Sequence, residues 1–338
     1  MYALELGGED DAFAVLEARS VAPDAAVVAP GLATAPAADT ARAPRLAYTH
    51  AVSRFVGQTD AAVASARVVV EAAAPVEGTV AVHARDVRAS AGIDTQAAER
   101  ELGRALVAAG HEVDLDDPDE VLRAVFADDV CLVGWQAATR EGGYGTRKPT
   151  SRPFFQPGGM DPLDARALVN VAGARPETTV LDPMCGTGGT LIEAGLVGAE
   201  AIGIDAQTKM VWGARENCRT YLDDDPLLCL GDATALPFAD GAVDAVVFDA
   251  PYGRQSKVIG DLAALISGAL REARRVASRA VVVADESLEA VARETGWTVA
   301  AHHQRRVHRS LVRHVHVLGA PPRDVESRGH DPDDEAHS

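Results

Sequence analysis

The sequence predicts an α/β protein, with a doubly wound parallel sheet in the second half of the chain and an α+β region before it. Beyond residue 178, apolar runs alternate with helical stretches. Each of these runs is continuously apolar, which is typical of parallel strands that are covered on both faces. Before residue 150, short strand-like runs alternate with helical stretches, and the pattern changes beyond residue 178.

In the first half, these runs are typical of one compact α+β unit or of two small ones. The strand-like runs are Met1–Leu6, Arg45–Thr49, Val80–Asp86 and Val130–Ala137, and the helical stretches between them are Asp11–Ala18, Arg67–Glu71 and Thr95–Ala109. The Pro- and Ala-rich stretch 29–44 is predicted to be a loop. Pro118, with acidic residues on either side, predicts the start of a helix over Val121–Phe126, because proline and acids are favoured in the first helical turn.

The second half contains the regular alternation of strands and helices. The predicted strands are Thr179–Asp182, Ala201–Asp205, Leu227–Leu230, Asp244–Asp249 and Arg279–Ala284. The predicted helices lie near residues 189–198, 208–222, 260–277 and 286–295. Residues Ser310–Leu318 alternate between polar and apolar types and are predicted to form a final strand. This order is that of a doubly wound α/β domain.

These changes of pattern also predict the domain boundaries. An N-terminal region covers residues 1–145, residues 146–160 form a linker, the sheet domain covers 161–320, and the polar tail 321–338 is disordered. The linker prediction depends on the stretch from Glu141 to Ser151, which is polar, rich in glycine and holds two adjacent basic residues.

Composition argues against several classes of protein. Hydrophobic residues make up 47% of the 338 residues and charged residues 24%, so the chain can bury sizeable cores. No long uncharged apolar run is present, and the N-terminus lacks a basic and apolar leader, so we expect a cytoplasmic protein without a membrane partner. The cysteines have no paired spacing, which argues against a disulfide framework and a zinc site. They are Cys131, Cys185, Cys218 and Cys229.

The net formal charge of −18 is unfavourable for binding nucleic acid, because phosphates repel an acidic protein. Only three of the 32 basic residues are lysines. This acidic, lysine-poor composition resembles that of proteins from extreme halophiles, in which a Debye length of about 3 Å at 1 M salt shortens the reach of the repulsion. The partner is therefore either not a nucleic acid or a nucleic acid bound in a salt-rich cytoplasm, and the second interpretation is favoured.

A glycine-rich turn, Asp182-Pro-Met-Cys-Gly-Thr-Gly-Gly-Thr, follows the first predicted strand of the second half. Such a turn lets the backbone approach a ligand closely at the switch point of a doubly wound sheet. Leu191 stands where a dinucleotide fingerprint requires glycine, and no Gly-Lys-Ser/Thr follows, so neither a nicotinamide dinucleotide nor a P-loop nucleotide is predicted. The Asp182 carboxylate would repel a pyrophosphate but attract an ammonium group. The alternative is an ordinary tight turn.

Acidic residues also lie at the ends of the next three predicted strands. Asp205, 23 residues after Asp182, is placed to accept hydrogen bonds from ribose hydroxyls. Asp232, in Gly-Asp-Ala, is placed to accept one from the exocyclic amine of adenine. Either residue alone is commonly a solvated turn residue. Three acids, each at the carboxyl end of a successive strand, are together much harder to explain as solvated turn residues.

The sequence Asp249-Ala-Pro-Tyr-Gly, after the fourth strand, predicts a site for an exocyclic amine on a base. Such an amine is a poor nucleophile because its lone pair is delocalised into the ring. The Asp249 carboxylate and the Ala250 carbonyl can accept its two hydrogens, while Pro251 restricts the backbone and the Tyr252 ring stacks on the base. The base must leave its stack to reach this pocket. The alternative is a strand followed by a proline turn.

These motifs resemble those of Rossmann-like class I S-adenosylmethionine (SAM)-dependent methyltransferases that modify amines. Ala250 departs from the usual Asp/Asn-Pro-Pro-Tyr/Phe motif, although its backbone carbonyl remains. Two further segments, Ser151-Arg-Pro-Phe-Phe-Gln-Pro-Gly and His308-Arg-Ser-Leu-Val-Arg, narrow the resemblance. With them, the chain resembles the archaeal tRNA (guanine-10 N2)-methyltransferases. In that family, an α+β region with a THUMP RNA-binding domain precedes the methyltransferase domain.

The resemblance implies methylation of the N2 amine of guanosine 10 in tRNA, once and then twice, with SAM as donor, tRNA as partner and no metal. The implied catalytic residues are Asp249, Ala250, Pro251 and Tyr252. The implied cofactor-binding residues are Asp182, Pro183, Cys185, Gly186, Gly188, Asp205, Asp232 and Ala233. Two alternatives stay open, an adenine N6-methyltransferase that acts on DNA or RNA and a catalytically silent THUMP RNA-binding protein.

Two further clusters have two interpretations each. Residues His302–His316 include five histidines, four arginines and no acid, so they form either a basic patch that contacts phosphate or the solvated face of a strand. Phe154 and Phe155 either line the cofactor pocket or pack at the junction between the halves, and packing is favoured.

Overall fold

The computed structural model describes residues 1–251, 262–308 and 311–320, and within them the chain forms two seven-stranded sheets. The strands of the first sheet are β1 Tyr2–Leu6, β2 Ala26–Ala29, β3 Leu32–Ala35, β4 Thr49–Asp60, β5 Val80–Asp86, β6 Glu120–Ala127 and β7 Val130–Thr139. Those of the second sheet are β8 Thr179–Asp182, β9 Glu200–Asp205, β10 Leu227–Leu230, β11 Ala245–Asp249, β12 Arg279–Ala284, β13 Thr298–His308 and β14 Leu311–Gly319. The α-helices of the described residues are α1 Asp11–Ala18, α2 Val63–Glu71, α3 Thr95–Ala108, α4 Pro162–Ala172, α5 Gly189–Leu196, α6 Thr208–Tyr221, α7 Leu262–Val276 and α8 Glu289–Glu294.

The second sheet has the order β10-β9-β8-β11-β12-β14-β13 and confirms the predicted doubly wound domain. Strands β8 to β12 run parallel to one another, and β14 is antiparallel to both β12 and β13. Along β11, Val247 packs into the core on one face, while Val246 and Phe248 pack into the core on the other. Burial on both faces is the physical reason why these strands are continuously apolar. The strand order reverses between β8 and β11, which makes this point the switch point of the sheet.

The first half forms a single sheet, with the order β2-β3-β1-β4-β7-β6-β5, rather than two separate units. Leu102 and Leu106 of α3 and Val70 of α2 pack with buried residues of the sheet in one apolar cluster. Helices therefore cover part of a mainly antiparallel sheet, which is an α+β arrangement as predicted.

The helix predicted for Val121–Phe126 is wrong, because these residues belong to strand β6. That strand pairs in parallel with β5 and antiparallel with β7, and it buries Leu122 and Phe126. The acidic residues before it do not cap a helix. Instead, Asp119 Oδ2 accepts hydrogen bonds from the backbone N–H and the hydroxyl of Thr79, at 2.8 and 3.0 Å. Pairing with two neighbouring strands has overridden the local helix-start signal.

Two other local predictions in this half are also incorrect. The stretch 29–44 is not all loop, because Leu32–Ala35 forms β3 and pairs with β1 and β2. The run Arg45–Thr49 is not a strand, since Ala43–Arg45 is a 3-10 turn and strand β4 begins only at Thr49.

The two halves pack together through a buried carboxylate, Glu17 of α1. Its oxygens accept hydrogen bonds from the backbone N–H groups of Ala47 and Tyr48 and from the side-chain amide of Asn170 in α4, each at 2.7 Å. Burial raises the pKa of Glu17, although these hydrogen bonds oppose the shift. The Arg45 guanidinium adds a contact between the halves by donating to the Val197 carbonyl at 2.6 Å.

The residues of the predicted linker, 146–160, pack against the second half. Arg147 and Arg152 are buried, and the Arg147 guanidinium lies against the Glu193 carboxylate of α5 at 2.8 Å. Arg166 of α4 contacts the same carboxylate, also at 2.8 Å. The fully buried Glu193 carboxylate of α5 therefore joins residues 146–160 to α4 as well as to α5. Among the described residues, no helix has the length and apolar character needed to cross a membrane.

Candidate functional site

The acids predicted to bind a ligand lie side by side at one edge of the second sheet. Asp182, Asp205 and Asp249 are the last residues of β8, β9 and β11, and Asp232 follows β10 by two residues. Across the sheet the spatial order is Asp232, Asp205, Asp182 and Asp249. Because adjacent strands lie about 4.8 Å apart, these carboxylates form a row that crosses the switch point.

In the loop after β8, Asp182 is buried and hydrogen-bonded, whereas the backbone at Gly186 is open to a ligand. Asp182 is buried and accepts a hydrogen bond from the Met184 backbone N–H at 3.0 Å. Gly186 has φ +50°, and no atom lies within 4 Å of the position that its Cβ would take. A ligand can therefore approach the backbone at Gly186. Gly188 differs, because a Cβ there would meet Ala214 and the Cys218 sulfur of α6 at 3.2 Å.

The other predicted cofactor residues occupy the same edge. Asp205 Oδ2 accepts from the Gly186 N–H at 3.0 Å, and its Oδ1 accepts from the Gln207 N–H at 2.9 Å. Asp232 Oδ1 accepts from both the N–H and the hydroxyl of Thr234, each at 2.8 Å. The remaining members of this set are buried in the loops themselves, namely Pro183, Cys185 and Ala233.

The electrostatics of this edge favour a cation. Burial raises the pKa of Asp182 to about 7; hydrogen bonds from Met184 and Thr190 oppose this shift, and the Asp205 and Asp249 carboxylates add to it. Burial also raises the pKa of Asp205, against hydrogen bonds from Gln207 and Gly186. Carboxylates that repel one another and are shielded from water gain most from a positive ligand group.

Asp249 ends strand β11 at the same edge, and Ala250 follows it directly. The Ala250 N–H donates to the Val283 carbonyl at 2.8 Å, which holds the end of the motif against β12. Ala250 is buried and Pro251 is half-buried, whereas Tyr252 lies outside the described residues. An Arg313 Nη2 atom lies 3.6 Å from Asp249 Oδ2.

Comparison with known proteins agrees with this geometry. Residues 149–315 match a family model described as RMKL-like, methyltransferase domain. A tRNA (guanine(10)-N2)-dimethyltransferase of Methanothermobacter thermautotrophicus is 33% identical over 81% of this chain and 83% of its own length. Enzymes of the same name from Pyrococcus abyssi and Methanocaldococcus jannaschii are 32% and 30% identical, over 72% and 67% of this chain and 75% and 65% of their own lengths. This chain belongs to the tRNA (guanine(10)-N2)-dimethyltransferase family.

In this family member, the basic segment His302–His316 forms part of the antiparallel pair β13–β14. Cross-strand partners share a face of the sheet, and the register pairs Asp249 with Val283 and Val283 with Val315. Arg313 is two positions before Val315 on β14 and pairs with Arg305 of β13. Both arginines therefore lie on the same face as Asp249. There they contact acids, since Arg305 and Arg313 both approach Asp164. The sequence alone did not single out Asp164 or Tyr48.

Three histidines of this segment lie on the opposite face, with ring nitrogens within 4.8 Å of one another. The rings of His302 and His316 stack at 4.6 Å with an interplanar angle of 9°. The ring nitrogens of these histidines make hydrogen bonds. His302 Nδ1 contacts Glu289, His302 Nε2 contacts His314 Nδ1, and His316 Nε2 accepts from the Leu288 N–H. Burial lowers the pKa of His316 to about 4. The three rings stack on one another, and the expected absence of a metal stays a prediction.

Phe154 packs against α6 of the methyltransferase domain. A Cβ on Gly213 would lie 2.0 Å from the Phe154 ring, and the Asn217 amide bonds to both the backbone N–H and the carbonyl of Phe154. Phe155 is 49% exposed. Phe154 therefore packs within the second half rather than at the junction between the halves, while Phe155 is about half exposed.

Proposed function

We propose that this protein transfers methyl groups from SAM to the exocyclic N2 amine of guanosine 10 in tRNA, first once and then a second time. The observation that carries the proposal is the row of strand-end carboxylates that ends at Asp249, with Ala250 and Pro251 directly after it. Related proteins that match most of this chain carry the name of this activity.

The acidic edge of the second sheet suits SAM. The sulfonium of SAM makes its methyl group electrophilic, and its ammonium, ribose and adenine offer the hydrogen-bond donors that carboxylates accept. We assign the ammonium to Asp182, the ribose to Asp205 and the adenine amine to Asp232. The open backbone at Gly186 allows the ligand to approach closely. The other residues of the proposed cofactor site shape its loops, namely Pro183, Cys185, Gly188 and Ala233.

The end of β11 suits an amine on a base. The Asp249 carboxylate and the Ala250 carbonyl accept hydrogen bonds from the two amine hydrogens, which localises the nitrogen lone pair and directs it toward the methyl group. As the nitrogen–carbon bond forms, the carbon–sulfur bond of SAM breaks, S-adenosylhomocysteine leaves, and the nitrogen gives up one proton to the Asp249 carboxylate. Pro251 restricts the backbone between them, and the Tyr252 ring stacks on the base. Catalysis on this scheme is mainly positioning, which can contribute several orders of magnitude in rate.

The α+β first half is proposed to be the THUMP-type region that holds folded tRNA in the cytoplasm. The domain boundaries of the proposal are residues 1–145 for this region, 146–160 for the segment that follows, and 161–320 for the methyltransferase domain. The tail predicted for 321–338 lies outside the described residues. A net charge of −18 makes high salt the appropriate condition for this interaction.

The test is methyl transfer from labelled SAM to unmodified tRNA transcripts in molar KCl, followed by nucleoside analysis. We expect N2-methylguanosine and then N2,N2-dimethylguanosine at one position of the tRNA core. Label on adenine would instead identify an N6-methyltransferase. Tight binding of SAM and tRNA without label would identify a silent RNA-binding protein.

The affinity for SAM is expected to rise about tenfold between about pH 5.5 and about pH 7.5. With its pKa at about 7, Asp182 is mostly protonated at the lower pH, and a bound ammonium favours the ionised form. Binding therefore releases a proton below pH 7, and affinity grows until the carboxylate is already ionised before binding. Calorimetric titration at each pH measures this rise, which Asp182→Asn should largely remove. An affinity of the unmutated protein that does not change with pH would contradict the assigned contact.

A further inference from the structure

A chain of alternating charges leads from the proposed catalytic carboxylate to the first half of the protein. Arg313 lies between two acids, with Nη2 3.6 Å from Asp249 Oδ2 and Nη1 3.7 Å from Asp164 Oδ2. Its side chain is 10% exposed, and those of Asp249 and Asp164 are 23% and 18% exposed. Water therefore screens these charges only in part, and the guanidinium offsets the repulsion between the two carboxylates.

Asp164, which lies in the middle of this series of charges, is held by Tyr48 of the first half and by Arg305 of β13. The Tyr48 hydroxyl donates to Asp164 Oδ1 at 2.6 Å, and the Arg305 guanidinium donates to the same oxygen. Arg305 also donates to the Tyr48 hydroxyl, at 3.2 Å. Tyr48 and Arg305 thus fix the side of Asp164 that faces away from Arg313.

Arg305 is itself enclosed by residues of the first half. Its guanidinium carbon lies 4.1 Å from the centre of the Phe13 ring and 4.8 Å from that of the Tyr48 ring. Asp10 lies 3.6 Å from Arg305 and 2.9 Å from His303. Aromatic faces and a carboxylate are favourable neighbours for a guanidinium that is largely removed from water. The first half therefore supplies part of the structure that orders Arg305 and, through Asp164, Arg313.

We propose that Arg313 is a positioning residue that sets the orientation of Asp249, and that the first half controls this orientation through Tyr48 and Asp164. The first half then contributes to the rate of methyl transfer as well as to RNA binding. This inference rests on the proposed role of Asp249 in holding the amine. A carboxylate that must accept a hydrogen in one direction loses rate when its orientation is no longer fixed, since a displacement of about 1 Å can cost about a hundredfold.

The experiment compares variants of the full chain in single-turnover methyl transfer at saturating SAM and tRNA. Arg313→Gln should lower the rate at least tenfold, while the dissociation constants of SAM and tRNA change less than threefold. Arg313→Lys, which keeps the charge, should recover part of the loss. Tyr48→Phe, which removes one hydroxyl at the far end of the chain of contacts, should lower the rate by a factor of about three to ten.

Two matched controls address non-specific effects. Arg219→Gln removes an exposed arginine of α6 that pairs with Asp225 at 2.9 Å, and Tyr221→Phe removes a hydroxyl that donates to the Thr146 carbonyl at 3.0 Å, both away from these contacts. Both should keep the unmutated rate at saturation. Tyr48→Phe also keeps the test valid if Arg313→Gln does not fold.

The inference is overturned if Arg313→Gln and Tyr48→Phe react at the unmutated rate at saturation, even if their melting temperatures or tRNA affinities fall. It is also overturned if Arg313→Lys is as slow as Arg313→Gln. Nucleoside analysis of the unmutated protein in the same assay separates this failure from that of the proposed function. If the modified base is not guanine, the substrate assignment fails, while the variants still report whether Arg313 positions Asp249.

Discussion

Replacing Asp249 by alanine is expected to lower the rate of methyl transfer by about a thousandfold or more, which lies within the range for loss of a group that handles a proton. The carboxylate lies at the end of β11 beside the switch point, and alanine cannot accept a hydrogen from the amine. The affinity for SAM should change only several-fold, because Asp182, Asp205 and Asp232 remain. Single-turnover rates and calorimetric titration with SAM measure the two effects separately.

Two further variants show what the Asp249 result means. Asp249→Asn keeps an oxygen that accepts a hydrogen bond, so it should retain more activity than the alanine variant. Asp224→Ala changes an exposed acid outside the row of strand-end carboxylates and should keep the unmutated rate. Near-normal turnover of Asp249→Ala would show that this carboxylate does not hold the amine.

Replacing Glu193 by glutamine is expected to lower the free energy of unfolding by about 3–5 kcal/mol. Glu193 is fully buried and lies 2.8 Å from the guanidinium groups of both Arg147 and Arg166. Glutamine has nearly the same shape but no charge, so two buried arginines would lose the acid that neutralises them. Urea unfolding at constant salt measures the change.

Glu71→Gln is the matched control for this stability prediction. Glu71 is also a helical glutamate paired with an arginine, but its partner Arg67 lies 3.6 Å away and both side chains are about half exposed. Its replacement should cost about 0.5 kcal/mol or less. Equal losses for the two variants would mean that burial does not determine the contribution of the Glu193 pair.

The sequence by itself predicted the parallel strands of the second sheet, its strand β14 and the acids at its edge, but not strand β13. Strands such as β11 are buried on both faces, so each carries a continuous apolar signal that needs no knowledge of its neighbours. Parallel strands joined by helices place their carboxyl ends at one edge, so acids such as Asp182 and Asp205 could be expected to lie together from chain order alone. Local sequence and connectivity were sufficient for this part of the molecule.

Most of the errors lie in the first half, for the opposite reason. Residues Glu120–Ala127 carry a local helix-start signal, yet they form a strand because β5 and β7 provide backbone partners on both sides. Leu32–Ala35 likewise becomes a strand only through pairing with β1 and β2. Antiparallel pairing between distant segments is not recorded in any short window of sequence, so local propensity could not predict it.

Around Asp249, the sequence predicted the adjacent motif residues, and only the tertiary structure showed the contacts of the Asp249 side chain. The motif from Asp249 to Tyr252 could be recognised in the sequence because its residues are adjacent. The contacts that hold the Asp249 side chain could not, since Tyr48, Asp164 and Arg313 come from three distant parts of the chain. Sequence determined which groups stand at the end of each strand, because that depends on local pattern and chain order. Only the packing of β14, α4 and the first half decided which charges surround Asp249, because Arg313, Asp164 and Tyr48 lie far apart along the chain.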